Sequence, residues 1–176
     1  MTGPNGKGKS TLLKVLVGLL EADSGVVCFD GSSDLDSFRE KTEYLAAEEN
    51  ALIEEFSALY NVQTWLKLRG KSLSEVAISE ELRRWNLSGK YLTERMPVGK
   101  FSTGMKRRLA LCRLSLSPAK LWIVDEPLYG LDTNGVQNLK ERMLTFLASE
   151  GMILIVSHEN MFFESGFEGR ITTLEI

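Results

Sequence analysis

Residues 3–10 read G-P-N-G-K-G-K-S, and Thr11 follows. Glycines at Gly3, Gly6 and Gly8 let a loop curl until its N–H groups point inward, where they can hold phosphate oxygens. Pro4, Asn5 and Lys7 fill the loop between them. Lys9 carries a cation long enough to reach the β- and γ-phosphates of a nucleotide. Ser10 offers a hydroxyl to Mg²⁺, and Thr11 closes the stretch. The competing reading is a glycine-rich turn with no ligand. An apolar helix pattern follows directly, and the positive N-terminal end of such a helix favours the phosphate reading.

Three further clusters carry chemistry. Residues 121–126, L-W-I-V-D-E, form an apolar run that ends in two acids. A carboxylate at the carboxyl end of a buried parallel strand sits where ligands bind. Asp125 there can serve Mg²⁺, and Glu126 can orient or deprotonate an attacking water. Residues 101–108, F-S-T-G-M-K-R-R, open a helix with small polar residues. Backbone N–H groups and the Ser102 hydroxyl could meet an anion, but alone the stretch reads better as an ordinary Ser102 N-cap on a basic helix. Ser157-His158 follows another apolar run. A lone histidine is more often a surface or core residue. If the strands before Glu126 and His158 are neighbours, both side chains reach one edge, where the imidazole could meet a γ-phosphate.

The elements that must position these groups are legible in outline. Helical spacing covers 10–20, 57–68, 74–85, 103–116 and 133–149. Short strands are expected at 26–29, 44–47, 121–124, 152–156 and 171–176. Strands and helices alternate at both ends, which implies a largely parallel sheet. A helical stretch interrupts it from about 50 to 116.

Composition narrows the class. With 176 residues, 43% hydrophobic and 26% charged, the chain can bury one compact core. A net charge of −3 gives no electrostatic footprint for nucleic acid. The two cysteines, Cys28 and Cys112, form no C-x-x-C pair and read as reduced core thiols. One histidine excludes a histidine-rich metal site. The most apolar run, 12–20, is interrupted by Lys14 and falls far short of the ~20 residues that span a bilayer. A membrane role would need a partner to supply the membrane part.

Taken together and in this order, the clusters resemble the nucleotide-binding domain of ATP-binding cassette transporters. The order is phosphate loop, helical insertion, the 101–104 segment, Asp125-Glu126, the turn Gly130-Leu131-Asp132 and the histidine. The resemblance runs over essentially the whole chain. Residues 121–136, L-W-I-V-D-E-P-L-Y-G-L-D-T-N-G-V, are similar to the subfamily that serves the haem exporter of c-type cytochrome maturation. So are residues 106–114 and 56–62.

The resemblance implies an α/β P-loop NTPase fold, a largely parallel sheet flanked by helices with a helical subdomain inserted. About 1–49 and 117–176 would form the core and about 50–116 the subdomain. Gly3 to Thr11 would cradle ATP, with Ser10 and Asp125 on Mg²⁺. Glu126 would be the general base and His158 the γ-phosphate sensor. Ser102, Thr103 and Gly104 would contact the ATP of a second copy, so the active unit would be a homodimer, and Asp132 would lie in the turn after the base. Integral membrane subunits would be the other partners, with no nucleic acid, at the cytoplasmic face of the inner membrane. The implied function is ATP hydrolysis that energises export of haem or a related molecule. The alternatives are a degenerate module acting through partners, or a cassette for another cargo. A GTPase is disfavoured because no Asn-Lys-x-Asp motif is present.

Three departures from the family pattern stand out. Met105 replaces the Gln that ends the signature. Glu49 falls where the family places a Gln that touches Mg²⁺ and the attacking water. The antiparallel strands that precede the phosphate loop, one carrying an aromatic for adenine, are missing. Met1 therefore reads as the last residue of a strand.

Overall fold

The computed structural model describes residues 1, 4, 6–29, 31–47, 50–93, 96–157, 167 and 172. Its elements run α1 (Lys9–Leu16), α2 (Leu35–Lys41), β1 (Thr42–Leu45), α3 (Ala58–Leu68), α4 (Glu75–Arg84), α5 (Lys90–Thr93), a 3-10 turn (Val98–Lys100), α6 (Thr103–Leu116), β2 (Leu121–Asp125), α7 (Thr133–Ala148) and β3 (Met152–Val156). Among the described residues one sheet forms, in the order β1-β2-β3, with both pairs parallel. Parallel neighbours need long crossovers, here residues 46–120 between β1 and β2, and α7 between β2 and β3. In the central strand β2, Trp122, Ile123, Val124 and Asp125 are all buried. A strand covered on both faces reads as a continuous apolar run rather than an alternating one.

The chain divides into two compact units. One comprises Met1–Glu48, Pro118–Leu128 and Leu144–Ile176; the other comprises Glu49–Ser117 and Tyr129–Met143. The first holds the sheet. Leu13 of α1, Val17 just after it and Phe38 of α2 pack with Ile123 and Val156 from the strands. Trp122 stacks on Phe146, with ring centroids 3.9 Å apart and planes 7° from parallel. The second unit is helical. Leu66, Ile78, Leu82, Trp85, Leu109 and Leu111 are buried in it. The buried Glu81 carboxylate accepts from Trp85 Nε1 at 3.2 Å and pairs with Arg84 at 3.1 Å.

Helix ends follow local chemistry. Ser57, Ser74 and Ser102 each accept a backbone N–H three residues on and so cap α3, α4 and α6. The expected helix over 10–20 ends early, at Leu16. Gly18 takes a left-handed φ of +69°, the Gly18 N–H bonds Val15 O and the Leu19 N–H bonds Lys14 O. These two bonds are a Schellman ending, and they leave Leu19 and Leu20 exposed.

Residues 26–29 do not form the expected strand. Phe29 makes only an isolated bridge to Ser32, and Val26 is exposed. A strand needs a neighbour for its backbone groups, and none is present among the described residues. Cys28 is exposed there rather than in the core, whereas Cys112 is buried. Helix α2 was not anticipated. The expected strand over 171–176 lies outside the described residues apart from residue 172.

Candidate nucleotide-binding site

In the first unit the loop that opens the chain runs into α1. Gly6 and Gly8 take φ values of +80° and +86°, which L side chains rarely adopt, so the loop's curl depends on glycine. Gly8 caps α1 without any side-chain hydrogen bond. The first N–H groups of a helix have no partner within the helix, so an anion at this end would meet N–H groups and the positive end of the helix dipole. Lys9 is buried, and its ammonium donates to the Pro4 carbonyl at 2.8 Å, closing the loop across its own width. Ser10 and Thr11 are exposed on the first turn. Gly3 and Asn5 lie outside the described residues.

The strands bring the other groups to one end of the sheet. The parallel register pairs Asp125 of β2 with Val156 of β3. The Glu126 N–H extends this ladder to Val156 O at 2.8 Å, and Ser157 follows, buried. The Met1 amino group donates to Ile155 O at 2.6 Å, so Met1 also lies beside the carboxyl end of β3. β2 and β3 are neighbours; His158 itself lies outside the described residues.

Asp125 is buried. Glu126, half-buried, holds a φ of +45°. A non-glycine residue at positive φ is uncommon, and such strain persists where surrounding structure enforces it. The sharp turn it makes ends β2 immediately after the second acid. Ser10 and Asp125 offer only oxygen donors. Among the described residues no group of three His, Cys, Asp or Glu side chains gathers to hold a metal. That set fits Mg²⁺, which binds through one or two protein oxygens and completes its shell with phosphate and water.

A cleft of 340 Å³ in the same unit is a different place. It is lined by Val15, Leu20, Val26, Phe29 and Phe38, beside the C-terminal half of α1, and it lacks the loop residues.

The second unit carries the remaining candidates. Ser102 Oγ accepts the Met105 N–H at 3.3 Å, the N-cap geometry that residue types alone suggested. Gly104 lies against the turn before α7: a Cβ on it would meet Gly130 O at 2.7 Å. Asp132 caps α7, accepting the Gly135 N–H at 2.8 Å, and its other oxygen faces Arg108 at 3.9 Å. A Cβ added at Gly130 would meet the Thr103 methyl at 3.5 Å, an ordinary contact. Glu49 lies outside the described residues. Sequence reasoning passed over Asn50, Arg107 and Arg113; K-R-R at 106–108 looks like a solvated basic run, but Arg107 is 1% exposed.

A left-handed glycine loop feeding a helix, with an acid pair at the end of the central parallel strand, defines a P-loop nucleotide-binding domain. The chain belongs to the ABC transporter family, whose sequence model matches residues 1–129, and it is an ATPase domain of that family. Among its relatives is the cytochrome c biogenesis ATP-binding export protein CcmA of Vibrio cholerae. It is 35% identical over 163 residues, covering 91% of this chain and 77% of the relative. The protein of the same name from Methylococcus capsulatus is 38% identical over 89% of this chain and 75% of its own. The fold matches that of the ATP-binding cassette MJ0796, solved as a dimer in a post-hydrolysis state with ADP and Pi. The TM-score is 0.74 at 23% identity, over 91% of this chain and 74% of that one. Among the described residues no helix is long and apolar enough to cross a membrane.

Proposed function

We propose that this chain is the ATP-hydrolysing subunit of a transporter that exports haem, or a related molecule, for c-type cytochrome maturation. The chemistry is supported by one observation above all: the register of Asp125 with Val156, which gathers both acids and Ser157 at one strand end. The cargo is supported by the name its relatives carry.

In this reading the ATP phosphates lie against Gly3 to Thr11, and Lys9 donates to the β- and γ-oxygens. Ser10 and Asp125, with Glu49 as a further oxygen ligand, would hold Mg²⁺, which would supply positive charge against the phosphates. Glu126 accepts the proton of the water that attacks the γ-phosphorus. The bond to the β,γ-bridging oxygen breaks, and ADP and phosphate leave. His158 holds the γ-phosphate. Ser102, Thr103 and Gly104 contact ATP bound by a second copy, with Asp132 in the adjoining turn. The dimer works on integral membrane subunits from the cytoplasmic face of the inner membrane.

The test is ATP turnover of the full-length protein with its membrane subunits, with Mg²⁺ and with chelator, beside Glu126→Gln. Loss of the base should lower kcat by roughly 100-fold or more while nucleotide binding persists. Equal rates for wild type and variant would sink the ATPase assignment. Turnover in the complex that is indifferent to haem would remove the cargo.

A further inference from the structure

Residues 50–57 form a loop that is gripped from several sides within the second unit. The Val98 N–H donates to Phe56 O and the Gly99 N–H to Glu54 O, each at 2.8 Å. From α3, the Asn61 side chain accepts the Ile53 N–H at 2.8 Å and donates to Ile53 O at 3.0 Å and Ser57 O at 3.1 Å. From α6, Lys106 pairs with Glu54. Two arginines of α6 then converge on a single residue. Arg107 Nη1 donates to Asn50 Oδ1 at 3.4 Å, and Arg113 Nη2 donates to Asn50 O at 3.1 Å.

Both arginines are buried, at 1% and 8% exposure. Desolvating a guanidinium is costly, and apolar side chains of similar volume commonly serve stability as well or better. Packing alone therefore does not account for two of them in one helix. Their positions are separated by six residues, about 9 Å of rise and about 120° of rotation. A grip from two such points ties Asn50 to the helix as a body rather than to one turn.

We infer that Asn50, Arg107 and Arg113 form a positioning clamp. It makes α6 follow any displacement of the chain at residue 50, carrying Ser102 and Gly104 at the helix start with it. Residue 50 directly follows Glu49. The clamp thus links the loop proposed to meet Mg²⁺ and the attacking water to the groups proposed to meet the γ-phosphate of a second copy. The inference rests on the ATPase function proposed above.

Steady-state ATP hydrolysis by the full-length protein in its complex tests it, with Asn50→Ala, Asn50→Asp, Ser102→Ala and the Asn50→Ala/Ser102→Ala double variant. Asn50→Ala keeps the main-chain acceptor of Arg113 and removes only the side-chain acceptor of Arg107. Its kcat should fall roughly threefold to thirtyfold, with KM for ATP held within about twofold and the melting temperature unchanged. Asn50→Asp keeps an acceptor for Arg107 and should restore the rate. The double variant should be no slower than Ser102→Ala, since one device is then broken twice. An unchanged Asn50→Ala rate, a loss that tracks melting temperature, no rescue by Asn50→Asp, or additive losses would each overturn the clamp. A wild-type protein that does not hydrolyse ATP would fail at the earlier step, and the clamp would fall with the function it serves.

Discussion

Gly104 and Gly130 are glycines for opposite reasons. At Gly104 space is the limit: a Cβ there would lie 2.7 Å from the Gly130 carbonyl oxygen, a backbone atom that cannot swing aside. At Gly130 the backbone is the limit: φ is +74°, while the nearest atom to an added Cβ is a Thr103 methyl carbon at 3.5 Å. The start of α6 and the turn before α7 therefore touch backbone to backbone.

Gly104→Ala should push these two segments apart and cost about 1–3 kcal/mol. Gly130→Ala should cost about 1 kcal/mol through conformation alone. Urea denaturation of the two variants checks the ranking. ATP turnover should fall for Gly104→Ala beyond what its lost stability explains, because Ser102 sits at the displaced helix start.

Lys9 gives a sharper contrast between binding and folding. Its ammonium has three donors and already serves the Pro4 carbonyl inside the loop. Lys9→Met removes a charged donor at the proposed phosphate site, a loss of about 1.5–3 kcal/mol. Titration with a fluorescent ATP analogue should therefore show weakening of roughly 10- to 100-fold, with the melting temperature little changed.

Cys112 should be chemically silent while Cys28 reacts. Burial pushes the Cys112 thiol far above the ordinary value of 9.0, and the Glu81 carboxylate adds to this against the opposing pull of Arg142 and Arg113. A thiol reagent at pH 8 should label one site rapidly, at the exposed Cys28, and the second only on unfolding. Linkage fixes the sign of the pH effect. Below pH 9.0 the thiol is protonated in both folded and unfolded chains. Above it only the unfolded chain ionises, so stability falls as pH rises, by up to about 1.4 kcal/mol per unit. Denaturation of wild type against Cys112→Ala between pH 8 and 10 isolates that slope.

Asn61 should be costly to truncate. Its carboxamide fastens the 50–57 loop to α3 through both its oxygen and its nitrogen. Asn61→Ala leaves the Ile53 N–H and nearby carbonyls without those bonds and should lose about 2–3 kcal/mol, read from urea unfolding.

Much of this architecture was legible from residue order. The apolar runs at β2 and β3, the helical spacing of α3 and α4 and the Ser102 cap of α6 are short-range signals, and the elements stand where they put them. Helix α2 escaped because only Phe38 of its seven residues is buried, too little to make a periodic stripe. Its start is nonetheless encoded locally: the Asp34 carboxylate accepts the N–H groups of Asp36 and Ser37. Residues 26–29 failed as a strand because pairing is a property of neighbours, not of composition. At the site, the phosphate loop and the acid pair declared themselves by spacing. The burial of Arg107 did not, since a basic run gives no hint that one of its charges turns inward toward Asn50.

The backbone at Glu126 has a practical consequence for anyone who evolves this protein in the laboratory. Glycine would adopt its φ of +45° without strain, and replacing a non-glycine residue there would relax the turn by about 1 kcal/mol. A library selected for heat resistance alone is therefore expected to enrich Glu126→Gly, a change that erases the carboxylate proposed to activate water. Thermal selections on this chain need a catalytic counter-screen, because at this one codon hardiness and turnover pull in opposite directions.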